Sequence, residues 1–190
     1  QHQIPDDLLT VGLDLVTPVR SVRDLGIFLD SNLSMWTHVT RTVASCFVVL
    51  QQIRSISRSV SRSVLQSLIV SLVFSRLDYG SATLAGLPTR LLDRLQSVLN
   101  AAARLVYGSR KYDHVTPLFM DLHWLRVPER IAFRLAVLVY RCQHGVAPSY
   151  LAKELHRVAD VESRQRLRSV ASTAKKKKKT VHSTISDRSF

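Results

Sequence analysis

Hydrophobic residues follow two different periods, one before and one after about residue 34. Two short apolar stretches, 11–16 and 22–29, are bordered by turn residues and separated by Pro18. Short apolar runs with such borders are typical of strands. The pattern therefore predicts a β-hairpin made of these two strands. A turn over 30–34 follows, and Ser34 is the predicted N-cap of the first helix.

From Trp36 onward the apolar residues recur every three or four positions, which is the period of an amphipathic helix. A serine- and arginine-rich link, 54–62, separates the first helix from a second one that is expected to end near Asp78. A third helix follows Thr89 and ends before Gly108, a residue suited to a helix C-terminus. The predicted buried face of the first helix comprises Trp36, Val39, Val43, Cys46, Phe47, Leu50 and Ile53.

The second half of the chain predicts further helical segments. A short turn covers 118–122, and Pro128 suits the first turn of a helix over about 129–143. That helix is apolar over most of its circumference, so we expect it to be deeply buried. Gly145 ends it, and Pro148 begins a shorter helical piece that reaches Leu155.

These elements predict a mainly α fold: a short N-terminal β-hairpin, a bundle of about four to five helices and a disordered basic tail. We expect a β region at 1–33, the helical bundle at 34–160 and a flexible tail at 161–190. The tail is predicted because the hydrophobic period there gives way to serine, arginine and lysine.

Charge narrows the choice of partner. The 190 residues include 27 Lys and Arg against 14 Asp and Glu, a net charge of +13. A chain this basic attracts polyanions, of which nucleic acid is the commonest and an anionic membrane surface the alternative. No apolar run approaches the ~20 residues that span a bilayer, so we expect a protein of the nucleus or cytoplasm rather than of the membrane. Cys46 and Cys142 have no neighbours at metal-ligand spacing, so neither a disulfide framework nor a metal site is predicted.

The stretch VFSRLDYG, residues 73–80, has some likeness to a polymerase active-site motif. Two-metal catalysis, however, needs carboxylates close enough to hold two cations about 4 Å apart. Asp78 has no acidic neighbour, so we expect Arg76 and Asp78 to make local polar or ion-pair contacts instead. No nucleotide-binding or hydrolase motif is present, and His123 beside Trp124 is interpreted as a core residue. The sequence thus predicts no catalytic residue and no cofactor.

Arginines are the predicted binding residues, because the planar guanidinium matches phosphate oxygens. On a helix with about 100° per residue, Arg130, Arg134 and Arg141 fall within about 40° of one another. Such a stripe fits a phosphate-facing ridge or simply a solvated face. The candidate nucleic-acid contacts are Arg54, Arg58, Arg62, Arg90, Arg94, Arg130, Arg134 and Arg141.

Lys175, Lys176, Lys177, Lys178 and Lys179 form a further candidate contact. Such a run suits a phosphate backbone or nuclear import. The alternative is an accidental homopolymer, because only seven lysines occur in the chain and five of them are consecutive.

Several motifs together resemble the C-terminal part of reverse transcriptases of non-LTR (LINE-like) retrotransposons. Six pieces match in the family's order from about residue 20 onward. They are VRDLGIFLDSNLSMWTHV (22–39), SRLDYGSATLAGLP (75–88), RLQSVLNAAARLV (94–106), DHVTPLFMDLHWLRVPERI (113–131), HGVAPSYL (144–151) and TVHSTISDRSF (180–190).

The resemblance implies the end of a polymerase palm, then the thumb and a helical extension. In that family the catalytic carboxylates lie upstream, so this region is expected to be a non-catalytic fragment. It would contact the backbone of RNA or an RNA–DNA hybrid without sequence specificity. Two alternatives stay open: a helical protein-interaction module, whose exposed apolar face would recruit partners or mediate self-association, and a non-functional relic of a mobile element.

Overall fold

A computed structural model describes residues 8–155 of the protein. The strands are β1 (Leu9–Val11), β2 (Asp14–Val16), β3 (Ser21–Asp24) and β4 (Ile27–Asp30). The helices are α1 (Trp36–Ile56), α2 (Arg62–Ile69), α3 (Ser75–Leu77), α4 (Thr89–Tyr107), α5 (Thr116–Asp121), α6 (Val127–Gln143) and α7 (Ser149–Glu154). A π-helical turn, Val70–Phe74, joins α2 to α3, and a 3₁₀ turn, Ser81–Leu84, precedes α4.

The predicted fold class is confirmed, since short N-terminal strands are followed by helices. The chain divides into two units, named here the unit 1–135 and the unit 136–190, of which the structure describes residues 8–135 and 136–155; the boundary falls inside α6. The expected boundaries at 33 and 160 stay predictions. The predicted tail, 161–190, lies outside the described residues. Within residues 8–155, no helix combines the length and hydrophobicity needed to cross a membrane.

The pairing predicted for the strands is wrong. Stretch 11–16 does not pair with stretch 22–29; β1 pairs with β2 and β3 with β4, both antiparallel. Each stretch folds back on itself at a two-residue loop. Leu25 (φ 44°) and Gly26 (φ 86°) form the loop between β3 and β4. Positive φ at both central residues is what a type I′ hairpin turn requires, and leucine rarely adopts it, so the sequence did not predict this turn.

Two side chains cap the N-terminus of α1. Ser34, the predicted cap, lies one position before the N-cap, but its Oγ accepts a long hydrogen bond from the Trp36 backbone N–H at 3.4 Å, and Asp30 provides the second acceptor. Met35 occupies the N-cap position with φ 58° and makes no side-chain cap hydrogen bond. Asp30 Oδ2 instead accepts hydrogen bonds from the Thr37 backbone N–H at 3.2 Å and from Ser34 Oγ at 2.9 Å. The carboxylate therefore links the end of β4 to the first turn of α1.

The same hydrogen bonds set the acidity of Asp30. Burial alone would raise the pKa of Asp30, but hydrogen bonds from Thr37 and Ser34 outweigh burial and lower the pKa below its usual value. A carboxylate whose pKa is depressed in the folded state stabilises the fold above its unfolded-state pKa. That stabilisation is lost as the pH falls through the folded-state pKa.

Replacing Asp30 with alanine should lower the free energy of unfolding at pH 7 by about 1–2 kcal/mol, the usual cost of losing a helix cap. Urea denaturation at pH 7 and at several pH values below about 4 would measure this cost. The difference from wild type should shrink below that pH, as Asp30 becomes protonated. Asp14→Ala, at an exposed carboxylate on β2, is the control. Equal unfolding free energies of wild type and Asp30→Ala at pH 7 would contradict this role.

The core of the unit 1–135 lies between α1, α2, the π-helical turn and α4, and α1 and α4 pack most extensively. Most of the predicted face of α1 is buried, but Trp36, at its first turn, is 40% exposed. Its placement in the core was therefore wrong. The fully buried side chains of this core include Ile69, Leu95, Leu99, Val39, Val73, Val98 and Cys46.

Two further expectations about burial are wrong. On α6, Val127 and Ile131 are buried, but Phe133 and Tyr140 are about 60% exposed, so the helix is not deeply buried. Apolar residues cover most of the circumference of α6, but only the side that carries Val127 and Ile131 packs against the core, so other apolar side chains such as Phe133 stay exposed. His123 is exposed with φ 54°, not a core residue.

Candidate functional site

The residues of the LDYG motif, 77–80, join three parts of the unit 1–135. Two guanidinium nitrogens of Arg130 on α6 donate to the two carboxylate oxygens of Asp78, at 3.1 and 2.5 Å. Arg134 Nη2 lies 2.8 Å from the same carboxylate. The side chains of Asp78 and Arg130 are only 14% and 20% exposed. Asp78 thus forms ion pairs, but with arginines of α6 that are distant in sequence, not the local contacts expected of it. Arg76 instead donates a hydrogen bond to Ser45 Oγ.

The next two residues of the motif hold the β3–β4 hairpin. The Tyr79 hydroxyl donates a hydrogen bond to the carbonyl oxygen of Leu25 in the hairpin loop. Gly80 adopts φ 63°, and a Cβ built there would lie 2.6 Å from Cδ1 of Ile27 on β4. Glycine therefore permits both the left-handed backbone and the close packing of β4.

Arg130 and Arg134 are consequently engaged within the fold. Arg130 also lies over the Phe74 ring, at 4.5 Å from its centroid. A guanidinium that holds a largely buried carboxylate has fewer donors left for a phosphate. The assignment of these two residues to nucleic-acid contact stays a prediction, although the structure gives both a structural partner.

Arg90 and Arg94 come together over the exposed ring of Trp36. Their guanidinium carbons lie 4.9 and 4.8 Å from the ring centroid, within the range of cation–π contacts. Arg94 Nη1 also donates a hydrogen bond to Thr40 Oγ1 at 3.0 Å. Neither arginine forms an ion pair among residues 8–155. Two predicted contact residues thus share one aromatic ring, and neither is held by an ion pair within the described residues.

The arginines of the predicted link are dispersed. Arg54 lies in the last turn of α1, because that helix runs on to Ile56, and Arg58 lies in the shortened link. Both are exposed and form no ion pair in the described part of the chain. Arg62 begins α2, 2.8 Å from Asp121 and over the Tyr107 ring. Hydrogen bonds from Tyr107 and Arg62 lower the pKa of Asp121.

The remaining predicted nucleic-acid contacts lie either outside the unit 1–135 or outside the described residues. Arg141 is exposed in the last turn of α6, within the unit 136–190. The run Lys175–Lys179 lies outside the described residues. Nothing in the structure relates either of them to the arginines over Trp36.

A basic groove, which the sequence did not predict, lies between the β3–β4 hairpin, α1 and α3. Its volume is about 670 Å³. Arg23, Arg41 and Arg76 line it together with Phe28 and Tyr79, and no acidic side chain does. One feature of the sequence could have indicated this groove. Arg23 and Phe28 lie opposite each other in the β3–β4 hairpin, so their side chains are on the same face of it. That pair becomes visible only once VRDLGIFL is interpreted as a hairpin instead of one strand.

Residues 8–155 contain no group of three or more His, Cys, Asp or Glu side chains placed to hold a metal ion. His38 lines the basic groove, and its Nδ1 accepts a long hydrogen bond from the Phe28 backbone N–H at 3.5 Å. Burial lowers the pKa of His38, against the opposing charge of Asp30, so it adds no charge to the groove at neutral pH. Anion binding by arginine is the chemistry that this region offers.

Comparisons with protein-family models, with curated proteins and with solved structures found no match to this chain. The resemblance to reverse transcriptases therefore stays a prediction.

Proposed function

We propose that this chain is a non-catalytic, thumb-like region of a non-LTR reverse transcriptase, which holds nucleic acid by its phosphate backbone without reading sequence. The motif resemblance, the helical fold and the net charge of +13 support this proposal. A nucleic-acid partner would place the chain in the nucleus or cytoplasm.

The observation that carries the proposal is the pair Arg90 and Arg94 over Trp36. Two cations on one exposed aromatic ring raise the positive potential of this surface, which favours binding of an anion. Exposed Arg54 and Arg58 provide two further cations without ion pairs among the described residues. Phosphate contacts of this kind give affinity and position but carry no sequence information.

Polarisation titrations of the full 190-residue chain against a labelled RNA–DNA hybrid would test the proposal. We expect submicromolar binding at low salt. The logarithm of the affinity should fall against the logarithm of the salt concentration, with a slope of about −0.7 to −0.9 per phosphate neutralised. Hybrids of two unrelated sequences should bind about equally.

The double variant Arg90→Gln/Arg94→Gln should weaken binding by roughly tenfold or more and reduce the salt slope by about two. The control Arg20→Gln/Arg110→Gln removes the same charge at two other exposed positions. A third variant with Lys175–Lys179 all changed to Gln measures what the lysine run adds. Binding that is independent of salt, or restricted to one sequence, would contradict the proposal.

A protein-interaction module is the second candidate, and the first hairpin favours it. Val11 and Leu15 are more than 60% exposed, and Leu13 is fully exposed. Isolated two-stranded hairpins are marginally stable in water, so one with exposed apolar side chains suits a protein partner or a second copy of the chain. Absence of hybrid binding at low salt would favour this candidate over the first.

A further inference from the structure

The basic groove gathers three arginines from three separate segments. Arg23 comes from β3, Arg41 from α1 and Arg76 from α3. Sequence neighbours did not force these cations together, because 18 and 35 residues separate them along the chain. Their convergence on one concave surface without an acidic side chain raises the positive potential there, which favours binding of an anion.

The arginines are held in place by neighbouring side chains. The guanidinium carbons of Arg41 and Arg23 lie 4.3 and 5.7 Å from the centroid of the same Phe28 ring. Arg76 donates a hydrogen bond to Ser45 Oγ, one turn beyond Arg41 on α1. These contacts restrict the rotamers of the three side chains, so the arginines lose less conformational entropy when a ligand binds. None of the three forms an ion pair within residues 8–155.

Tyr79 provides a flat, half-exposed ring at the same groove. Its hydroxyl is tied to the Leu25 carbonyl, and Cε1 of the ring would lie 3.2 Å from a Cβ at Gly26. The ring is therefore fixed by the hairpin loop at one side, while 53% of the residue stays exposed. A positively charged groove with a fixed aromatic ring is the combination used to bind single-stranded nucleic acid.

We propose that the basic groove binds a single-stranded nucleic-acid segment, with its phosphates on Arg23, Arg41 and Arg76 and a base stacked on Tyr79. This site is distinct from the Trp36 cluster, the name used here for Trp36 with Arg90 and Arg94. Arg41 and Ser45, the groove residues on α1, lie about 140–180° around the helix axis from Trp36. The proposal deepens the function proposed above and rests on it for the nature of the ligand.

Binding of a labelled ten-residue oligothymidylate to the full chain would test the groove. Arg23→Gln/Arg41→Gln should weaken binding by roughly tenfold or more and reduce the salt slope by about 0.7 per arginine removed. Arg20→Gln/Arg110→Gln is the matched control for lost charge. Arg76→Gln, on a different element, should act in the same direction, which guards against a local folding defect of the first variant.

The stacked base has its own test. Tyr79→Leu should weaken oligothymidylate binding about fivefold or more, the range found for loss of one stacked base. Tyr79→Phe keeps the ring and should bind nearly as wild type. An abasic phosphodiester oligomer of the same length should not distinguish the two variants. Thymidine monophosphate as competitor shows whether a free nucleotide is enough to fill the groove.

The outcomes separate the two proposals. If the groove variants bind oligothymidylate as tightly as the charge control, the groove proposal is wrong, while backbone binding at Trp36 stands. If wild type binds the hybrid but not the single strand, the groove proposal is also wrong. If it binds neither, both proposals fail. Equal effects of Tyr79→Leu and Tyr79→Phe would overturn the base-stacking part.

Discussion

Replacing Asp78 with asparagine is expected to lower the free energy of unfolding by about 2–4 kcal/mol. The substitution keeps the size of the side chain but removes the charge that holds Arg130 and Arg134 together. Arg130 is 20% exposed and would remain as an uncompensated cation within the fold. Urea denaturation followed by circular dichroism would measure the loss, with the midpoint as the readout.

The control for this prediction is Asp93→Asn, at an exposed carboxylate on α4 that makes no ion pair within the described region. Its unfolding free energy should stay within about 0.5 kcal/mol of wild type. A double-mutant cycle of Asp78→Asn with Arg130→Met should give a coupling energy of about 1–3 kcal/mol. A stability loss of Asp78→Asn no larger than that of the control would show that the ion pairs do not stabilise the fold.

Gly80→Ala is expected to destabilise the protein by about 2–3 kcal/mol, for two separable reasons. The left-handed backbone at Gly80 is strained for alanine, and the new Cβ would lie 2.6 Å from Ile27 Cδ1. Relief of that contact must move the β3–β4 hairpin or change the Ile27 rotamer. Chemical denaturation at neutral pH would measure the total cost.

Gly86→Ala separates the two causes. Gly86 has φ 78°, but a Cβ there would meet no atom within 4 Å, so its variant carries the backbone strain alone. We expect Gly80→Ala to be the more damaging by about 1 kcal/mol or more. Adding Ile27→Val to Gly80→Ala removes Cδ1 and should recover part of that difference. Equal costs at the two glycines would rule out the Ile27 contact as a cause.

Asp78 and Gly80, the residues changed in these two predictions, lie in the LDYG motif, whose likeness to a polymerase motif raised the question of catalysis. In the fold this motif is a junction between the end of α3, the hairpin loop and α6. Asp78, Tyr79 and Gly80 each contact a different partner there. Such a junction stabilises the frame that carries the Trp36 cluster and the basic groove.

The sequence by itself determined the helical part of the fold. The three-to-four spacing of apolar residues predicted α1, α2 and α4, because this period places them on one side of a helix. Gly108, with φ 63°, ends α4 as predicted, since glycine adopts that conformation without steric cost. The local chemistry of the chain was enough for these features.

The tertiary structure alone decided which polar residues meet. Asp78 and Arg130 are 52 residues apart along the chain, and no local pattern indicates their pairing. The β3–β4 hairpin was missed because Leu25, in its loop, adopts a backbone conformation that its residue type disfavours. The spacing of apolar residues placed Trp36 on the buried face of α1. In the structure its ring is 40% exposed and contacts the guanidinium groups of Arg90 and Arg94. The spacing of apolar residues shows which side of a helix faces the core. Contacts between charged residues far apart in the chain depend on how the helices and strands pack.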